Sequence, residues 1–460
     1  MGEQLLKYYN EPAKKLPIRN FDVVIAGGGT GGVVAAIASA RTGAKTALIE
    51  GKGYTGGNVV EAGTALHSFF NLWKAFPGIE KRQVVRGIPQ EIITRLEQVG
   101  GTTGHAEMLK GYDYDSVCTA IDTELYKLIS LEMLQDAGVH IFLNSFVRGV
   151  IMDKSTIQGI IVESRSGREA FYAHSFVDCT GYGDLCAYAS AKFSEPNDYP
   201  VANSIGVAGV SIEKYHDFLS KNNALSQYCE GKRSGEMNKM VRLDAKYVKP
   251  PLSFLKEGRR IGMHPVITSI HDDYFMFVKL NKKMKNSPTN RDDVSKTEVI
   301  LRQRMQKAVN LIRKYIPGCE KAFITRTSPS LCIRRGRLID CDYDISLEDI
   351  VNAQRFEDEI MVYGFHDLAP FIQIKDGGVY GIPYRALLVK DIENLYATGM
   401  MITKDFKAHM STRNTVACMG QGQGAGTAAA LCALNELHSR ELPYSLLRKT
   451  LLKDNVYLGE

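Results

Sequence analysis

No stretch of this sequence approaches the roughly 20 consecutive apolar residues that a bilayer-spanning helix needs. The first apolar run, Phe21 to Ala26, is strand-sized. The opening residues hold Glu3, Glu11, Pro12 and Pro17 where a secretion signal would place an apolar core. Position 6 is Leu6, where an N-myristoylation signal prefers Ser or Thr. These absences lead us to expect a cytoplasmic protein. Cysteine occurs nine times, from Cys118 to Cys432, yet no two cysteines form a C-x-x-C pair. That spacing excludes a dithiol–disulfide reductase centre, and the odd count fits free thiols in a reducing compartment. His, Cys and Asp nowhere take metal-ligand spacing, so no metal is expected. Internal repeats and low-complexity tracts are missing. Aromatic residues do not interleave the basic ones, which removes the stacking platform of a nucleic-acid binder.

What is there is a chain of 460 residues, 44% of them apolar, enough for a large core and for more than one domain. The net charge of +6 is unevenly spread. Nine basic residues face three acidic ones from Lys232 to Arg260, and eleven face three from Lys279 to Lys314, which leaves the rest of the chain net negative. Two readings of this basic middle third stand side by side. It either steers an anionic substrate towards a cleft or forms solvated helix faces.

The chemistry-bearing pattern begins at Phe21-Asp-Val-Val-Ile-Ala26, a β-rich run that reads as a buried parallel strand. Gly27-x-Gly29-x-x-Gly32 follows directly, then an alanine-rich helix from Val33 to Arg41, then a second strand ending at Glu50. The first glycine permits a tight turn and the second lets the backbone approach a pyrophosphate. The third lets helix and strand pack closely. Open backbone N–H groups and the helix dipole then hold phosphates without a side-chain cation. Glu50 lies within reach of two ribose hydroxyls, which suit a carboxylate acceptor. An acid at this position does not separate FAD from NAD; the rest of the chain does. Gly56-Gly57, Thr180-Gly181 and Thr398-Gly399 are further glycine turns at strand ends. Gly420-Gln-Gly422-Gln-Gly424-Ala-Gly426 is expected to open the last helix, whose N-terminus would stabilise negative charge on a reduced flavin.

The expected architecture is α/β: a Rossmann-like FAD-binding domain with a parallel sheet, plus a second, α+β substrate domain. Helices are expected over 87–100 and 120–137, and a strand over Val139 to Leu143. Runs at Val147 to Met152, Ile157 to Glu163 and Ala170 to Cys179 predict a three-stranded β-meander. The texture changes near 200 and the dinucleotide pattern returns at Asn394. The FAD domain is therefore expected to be discontinuous, 1–200 with 376–460, and 201–375 to cap the substrate.

These segments give the chain a family resemblance. Glu11-Pro-Ala-Lys14, Gly27-Gly-Gly-Thr-Gly-Gly32, Glu50 with Gly56-Gly57, and Gly87-Ile-Pro-Gln-Glu91 occur in order. Asp178-Cys-Thr-Gly181, Ile316-Pro-Gly-Cys-Glu320 and Tyr380-Gly-Ile-Pro-Tyr-Arg385-Ala-Leu-Leu388 follow. Asn394-Leu-Tyr-Ala-Thr-Gly399, Cys418-Met419, Gly422-Gln423 and Gly426-Thr427 complete the series. In these the chain resembles the FAD-dependent oxidoreductase family of the glutathione-reductase-type two-domain flavoproteins, across nearly its whole length. It departs at Arg334-Arg-Gly-Arg337-Leu-Ile339 and Cys341-Asp-Tyr343, where the family shows Arg-acid-Ser-Arg-Arg-Ile and Gly-acid-Tyr. A common Asp-x-His appears rearranged as His366-Asp367.

The resemblance implies FAD as cofactor. The cofactor-binding candidates are Gly27, Gly29, Thr30, Gly31, Gly32, Glu50, Gly51, Lys52, Gly56, Gly57, Asn58, Val147, Thr180, Gly181, Gly399, Gly422 and Gln423. For the reaction, hydride transfer to flavin N5 leaves a proton for a nearby base. His67, His366 and His409 lie near flavin-side motifs, each with a structural role as the alternative. Arg334, Arg337, Arg385 and Arg413 are candidates to fork onto a carboxylate or phosphate; Arg413 aligns with an arginine usual in the family, with a buried Arg–carboxylate pair at the domain junction as its alternative. The leading expectation is an FAD-dependent oxidoreductase acting on a small anionic or polyhydroxylated molecule. The rivals are a non-redox dinucleotide-binding enzyme, either a flavin isomerase or a thiazole-synthase-like protein, and a redox-inactive binding protein. A small-molecule substrate is expected and no nucleic-acid or membrane partner. The electron acceptor and any homo-oligomer stay open.

Overall fold

A computed structural model describes residues 9–62, 66–111 and 116–459; the side chain of His67 lies outside what it describes. Five strands form a parallel sheet in the spatial order His140–Phe142, Thr46–Ile49, Val23–Ala26, Ser175–Asp178, Leu395–Ala397. In chain order this is 3-2-1-4-5, the doubly wound arrangement whose strand order reverses beside Val23–Ala26. Val23 pairs with Thr46 on one side and with Ser175 on the other. All four residues of Val23–Ala26 are sealed from solvent, as an apolar run without alternation requires.

The expected meander is present, with two differences. Phe146–Asp153, Thr156–Ser164 and Gly167–Tyr172 pair antiparallel, and Ile18–Asn20 adds a fourth strand in parallel. The run Ala170 to Cys179, read as one strand, is two: Gly167–Tyr172 closes the meander and Ser175–Asp178 enters the parallel sheet. The break falls at Ala173–His174, where the Asp22 carbonyl accepts from the N–H groups of His174 and Ser175 at 3.1 and 3.2 Å. Asn394 clips the two sheets together. Its amide accepts from Ile157 N at 3.0 Å and donates to the carbonyls of Ile157 and His174 at 2.8 and 2.7 Å.

A nine-stranded antiparallel sheet forms the second layer, in the order Phe323–Thr327, Val201–Ala208, Tyr274–Lys282, Met263–Thr268, Glu236–Ala245, Leu225–Arg233, Ala106–Lys110, Val117–Thr119, Leu66–His67. Its last three strands come from the N-terminal third of the chain. The amphipathic helix Arg291–Tyr315 packs on this sheet, capped by the Asn290 side chain, which accepts from Asp293 N.

The glycine-rich segment near the C-terminus differs from its sequence reading. The helix runs Thr415–Leu434, so the glycines lie in its middle, and a further helix, Tyr444–Lys453, follows it. Glycine inside a helix costs about 1 kcal/mol relative to alanine. Here the missing side chains let the helix lie directly on Thr30–Thr42. A Cβ on Gly422 would stand 2.2 Å from the Gly31 carbonyl oxygen, and one on Gly426 2.1 Å from that of Ala35. No helix among the described residues is long and apolar enough to cross a membrane.

Candidate active site

A cavity of about 230 Å³ opens at the carboxyl ends of the parallel strands, where the strand order reverses. Its near wall is Gly27, Gly29, Thr30 and Gly31. One end is formed by Glu50–Lys52 with Ser145–Arg148, and the other by Gly399, Met400, Arg413, Thr415 and Cys418. Thr180, Gly181, Asn58 and Ile333 close the sides.

The glycine turn behaves as its spacing implies. Gly27 has φ +98°, and a Cβ there would strike the Cys179 carbonyl oxygen at 2.6 Å. One on Gly32 would lie 1.8 Å from the Gly27 oxygen. A Cβ on Gly29 would come no nearer to protein than 3.7 Å, because the space before it is the cavity itself. Gly29 begins the helix without a side-chain cap, so the first-turn N–H groups are left for a ligand. This is the donor set a pyrophosphate needs.

Glu50 closes the end of the cavity beside Ser145–Arg148. Its carboxylate accepts from Gly28 N at 2.6 Å and Lys52 N at 2.8 Å, one bond per oxygen. A carboxylate has about four acceptor sites, which leaves room for two ribose hydroxyls. Burial raises the Glu50 pKa; the two backbone donors and the Lys52 ammonium oppose that rise. Lys52 pairs with Glu61 and donates to Ser330 Oγ at 3.0 Å. Asn58 donates to the Ile333 carbonyl at 2.9 Å.

Asp178, within the Asp178-Cys-Thr-Gly181 motif, shapes the turn that follows it. It is fully buried and accepts from Thr180 N (3.0 Å), Thr180 Oγ1 (2.7 Å) and Cys186 N (2.9 Å), which folds the turn at Thr180–Gly181. Gln421, not singled out in the sequence, does the same at the far end. It accepts from Gly399 N at 2.7 Å and donates to the Thr412 carbonyl at 2.8 Å. The helix N-terminus at that end is Asn414–Thr415, not the glycine run.

The cofactor-binding candidates therefore divide. Gly27, Gly29, Thr30, Gly31, Glu50, Gly51, Lys52, Gly57, Asn58, Val147, Thr180, Gly181 and Gly399 line the cavity. Gly32, Gly56 and Gly422 lie behind it as packing glycines. Gln423 turns away and accepts from Ile88 N at 3.1 Å, at the start of the helix Ile88–Gln98. Ser145, Phe146, Arg148, Ile333 and Met400 also line the cavity, and no local motif marks them.

Of the reaction candidates whose side chains are described, Arg413 alone reaches the cavity. Its guanidinium pairs with Asp367, donates to the Tyr199 hydroxyl at 3.0 Å and lies 4.9 Å from the Tyr199 ring centroid. Arg334 covers the same ring, 5.0 Å from its centroid. His366 is buried; its Nδ1 accepts from Leu368 N at 3.0 Å while Nε2 donates to the Lys407 carbonyl at 2.9 Å. His409 is also buried and donates from Nε2 to the Arg334 carbonyl at 3.1 Å. Burial lowers the pKa of both rings, for His409 well below the ordinary value. Both are neutral side chains that hold backbone. His67 pairs through its backbone with Cys118, and its ring lies outside the described residues. The Cys418 thiol is pushed up to about 12 by burial, which makes it a poor nucleophile at neutral pH. No group of three or more His, Cys, Asp or Glu among the described residues is placed to hold a metal.

The sequence profile of the family described as FAD dependent oxidoreductase matches residues 22–451. Solved structures similar in fold include a geranylgeranyl bacteriochlorophyll reductase-like protein from Thermoplasma acidophilum. It is 12% identical, with 96% of this chain and 85% of that one covered and a TM-score of 0.48. A flavin-dependent brominase is 12% identical over 95% of this chain and 84% of its own, at a TM-score of 0.48. An anhydrotetracycline hydroxylase from Streptomyces rimosus is 12% identical over 95% and 66%, at 0.43. None of the curated proteins compared matches the chain. The profile match across nearly the whole chain, on a cavity built for a dinucleotide, places this protein in the FAD dependent oxidoreductase family, with FAD as its cofactor.

Proposed function

We propose that this protein transfers a hydride between a small substrate and flavin N5, with the substrate held at the Arg413 end of the cavity. One observation carries the reading: Arg413, its side chain only 9% exposed, reaches the cavity between Gly399 and the helix start at Thr415. A guanidinium so buried acts at nearly full strength on a polar substrate group. FAD, when bound, supplies the hydride acceptor or donor at N5. The chain's own work is then binding, orientation and exclusion of water. Asp367 and Tyr199 fix the Arg413 fork. His366 and His409, each tied to a backbone carbonyl, are positioning residues in this reading: they brace the loop after Tyr363 and the segment carrying Arg334. The open N–H groups at Thr415 favour negative charge at the same end. The nine-stranded sheet roofs the substrate, so residues 201–375, with the strands at 66–67, 106–110 and 117–119, serve as the cap. The parallel sheet order and attached meander support placing the chain with the glutathione-reductase-type flavoproteins.

The test is anaerobic. The FAD-loaded protein is mixed with a panel of hydroxy acids, amino acids and sugars while flavin absorbance is followed. Bleaching by one class, restored by air or a quinone, is the expected result. A flavin that no member reduces, in a protein that still converts a substrate, would point to a non-redox role and sink the proposal.

A further inference from the structure

Four arginines and a lysine lie at or beside the departed motif, and their partners are unequal. Arg335 pairs with Asp198 at 2.9 Å and Arg337 with Asp184 at 2.8 Å. Arg413 pairs with Asp367. Arg334 has no carboxylate among the described residues; it reaches the Pro200 carbonyl at 3.5 Å, and its Nε is buried without a hydrogen-bond partner. Lys279, on the strand Tyr274–Lys282, stands opposite Ser204, near enough to Arg334 and Arg413 for their charges to act on it. Among the described residues it makes no ion pair and no hydrogen bond. The guanidinium carbons of Arg334 and Arg413 lie 5.0 and 4.9 Å from the centroid of the Tyr199 ring. Ile333, next to Arg334, lines the cavity, as Arg413 does. Lys279 and Arg334 are each partly buried, and among the described residues neither pairs with a carboxylate. A cation drawn partly out of water without a counter-charge favours an anion beside it.

Resting on the hydride-transfer reading, we infer that Lys279, Arg334 and Arg413 form a binding site for an oxyanion, a carboxylate or phosphate carried by the substrate. The two guanidinium groups are pre-set by stacking on one ring, and their forks suit a planar or tetrahedral oxyanion. The ammonium supplies a point charge from the sheet above. This gives the basic middle of the chain a defined focus in place of a diffuse field.

The site carries a pH signature. Burial first, and then the Arg334 and Arg413 charges, bring Lys279 down to about 7. A bound anion opposes both effects, so binding takes up a proton whenever Lys279 is neutral beforehand. Affinity then falls about tenfold per pH unit above pH 7. Of the other groups near Lys279, burial lowers His264 to about 4 and raises the Cys332 thiol above its ordinary 9. Burial also raises the Asp244 carboxyl, and Asp367 adds its charge on the same side.

The experiment titrates the FAD-loaded protein with acetate, oxalate, benzoate and inorganic phosphate, with acetamide as neutral control, from about pH 6 to about pH 9. The readouts are the shift of the flavin absorbance band and the thermal midpoint. Anions are expected to bind and acetamide not to. Lys279→Met and Arg334→Met should each weaken binding by about tenfold or more, the strength of a charged hydrogen bond. Lys279→Met should also abolish the pH slope, while Lys279→Arg keeps binding and loses the slope. FAD content should not change in any variant. Preference for carboxylates over phosphate, or the reverse, identifies the oxyanion. Parent-like affinity and slope in Lys279→Met would overturn the site. So would flavin reduction by a neutral substrate unaffected by Lys279→Met, although hydride transfer would then stand. Anion binding with no reducing substrate would keep the site and remove the hydride-transfer reading.

Discussion

Gly426 and Ala35 touch backbone to backbone: the space where a Gly426 Cβ would sit is 2.1 Å from the Ala35 carbonyl oxygen. Elsewhere in a helix an alanine would be worth about 1 kcal/mol over glycine. Here it must push apart two helices that pack against the parallel sheet. Gly426→Ala is expected to destabilise the protein by about 1–3 kcal/mol, the usual cost of overpacking. Urea denaturation of parent and variant measures it, and a stabilised variant would show that the helices have room to spare.

Glu50→Ala should weaken FAD retention about tenfold or more. The change removes a charged acceptor for ribose and also frees Gly28 N and Lys52 N, which the carboxylate holds at 2.6 and 2.8 Å. Dialysis against buffer, followed by flavin fluorescence of the released cofactor, gives the ratio. Equal retention in both proteins would remove Glu50 from the cofactor site.

Asp367→Asn should leave FAD bound but lower kcat/KM for the reducing substrate by about tenfold or more, because the Arg413 fork loses its ionic brace. Arg413→Met should cost more. Rapid-mixing measurement of flavin reduction separates binding from the chemical step. Full activity in Arg413→Met would place the substrate elsewhere.

Acid should destabilise the protein in part through His105. Its ring bonds Gln90 Oε1 at 2.7 Å and Thr119 Oγ1 at 2.9 Å, and burial, with help from Lys81, holds it at about 4. The unfolded chain takes up this proton near pH 6.5, the native protein only near 4. Stability from this group is therefore complete above about pH 6.5 and is lost as pH falls towards 4. His105→Gln should flatten the fall in urea midpoint over that interval. An unchanged slope would assign the loss to other groups.

The elements that were legible in the sequence were those whose signal is local. Val23–Ala26, the Gly27 turn and Glu50 lie within one β-α-β unit, and each takes the place its chemistry implies. What sequence could not give was set by contacts between distant segments. The Ala170–Cys179 run has no turn residue at its break, because Asp22, far away in the chain, is what ends one strand and begins the next. The glycine run read as the opening of the last helix, since a helix-packing glycine and one at a helix start look alike until the partner helix is known. Ser145, Phe146 and Ile333 reach the cavity only through the fold. Nearness in sequence to flavin-side motifs misled for His366 and His409, whose rings turn into the protein towards backbone carbonyls.

Two hydrogen bonds, Lys52 Nζ to Ser330 Oγ and Asn58 to the Ile333 carbonyl, join the dinucleotide side of the cavity to the strip of chain that carries Arg334. The glycine-turn side and the segment that departs from the family pattern, 278 and 275 residues apart along the chain at these two contacts, are thereby tied side chain to chain, so a substitution in one strip changes the footing of the other.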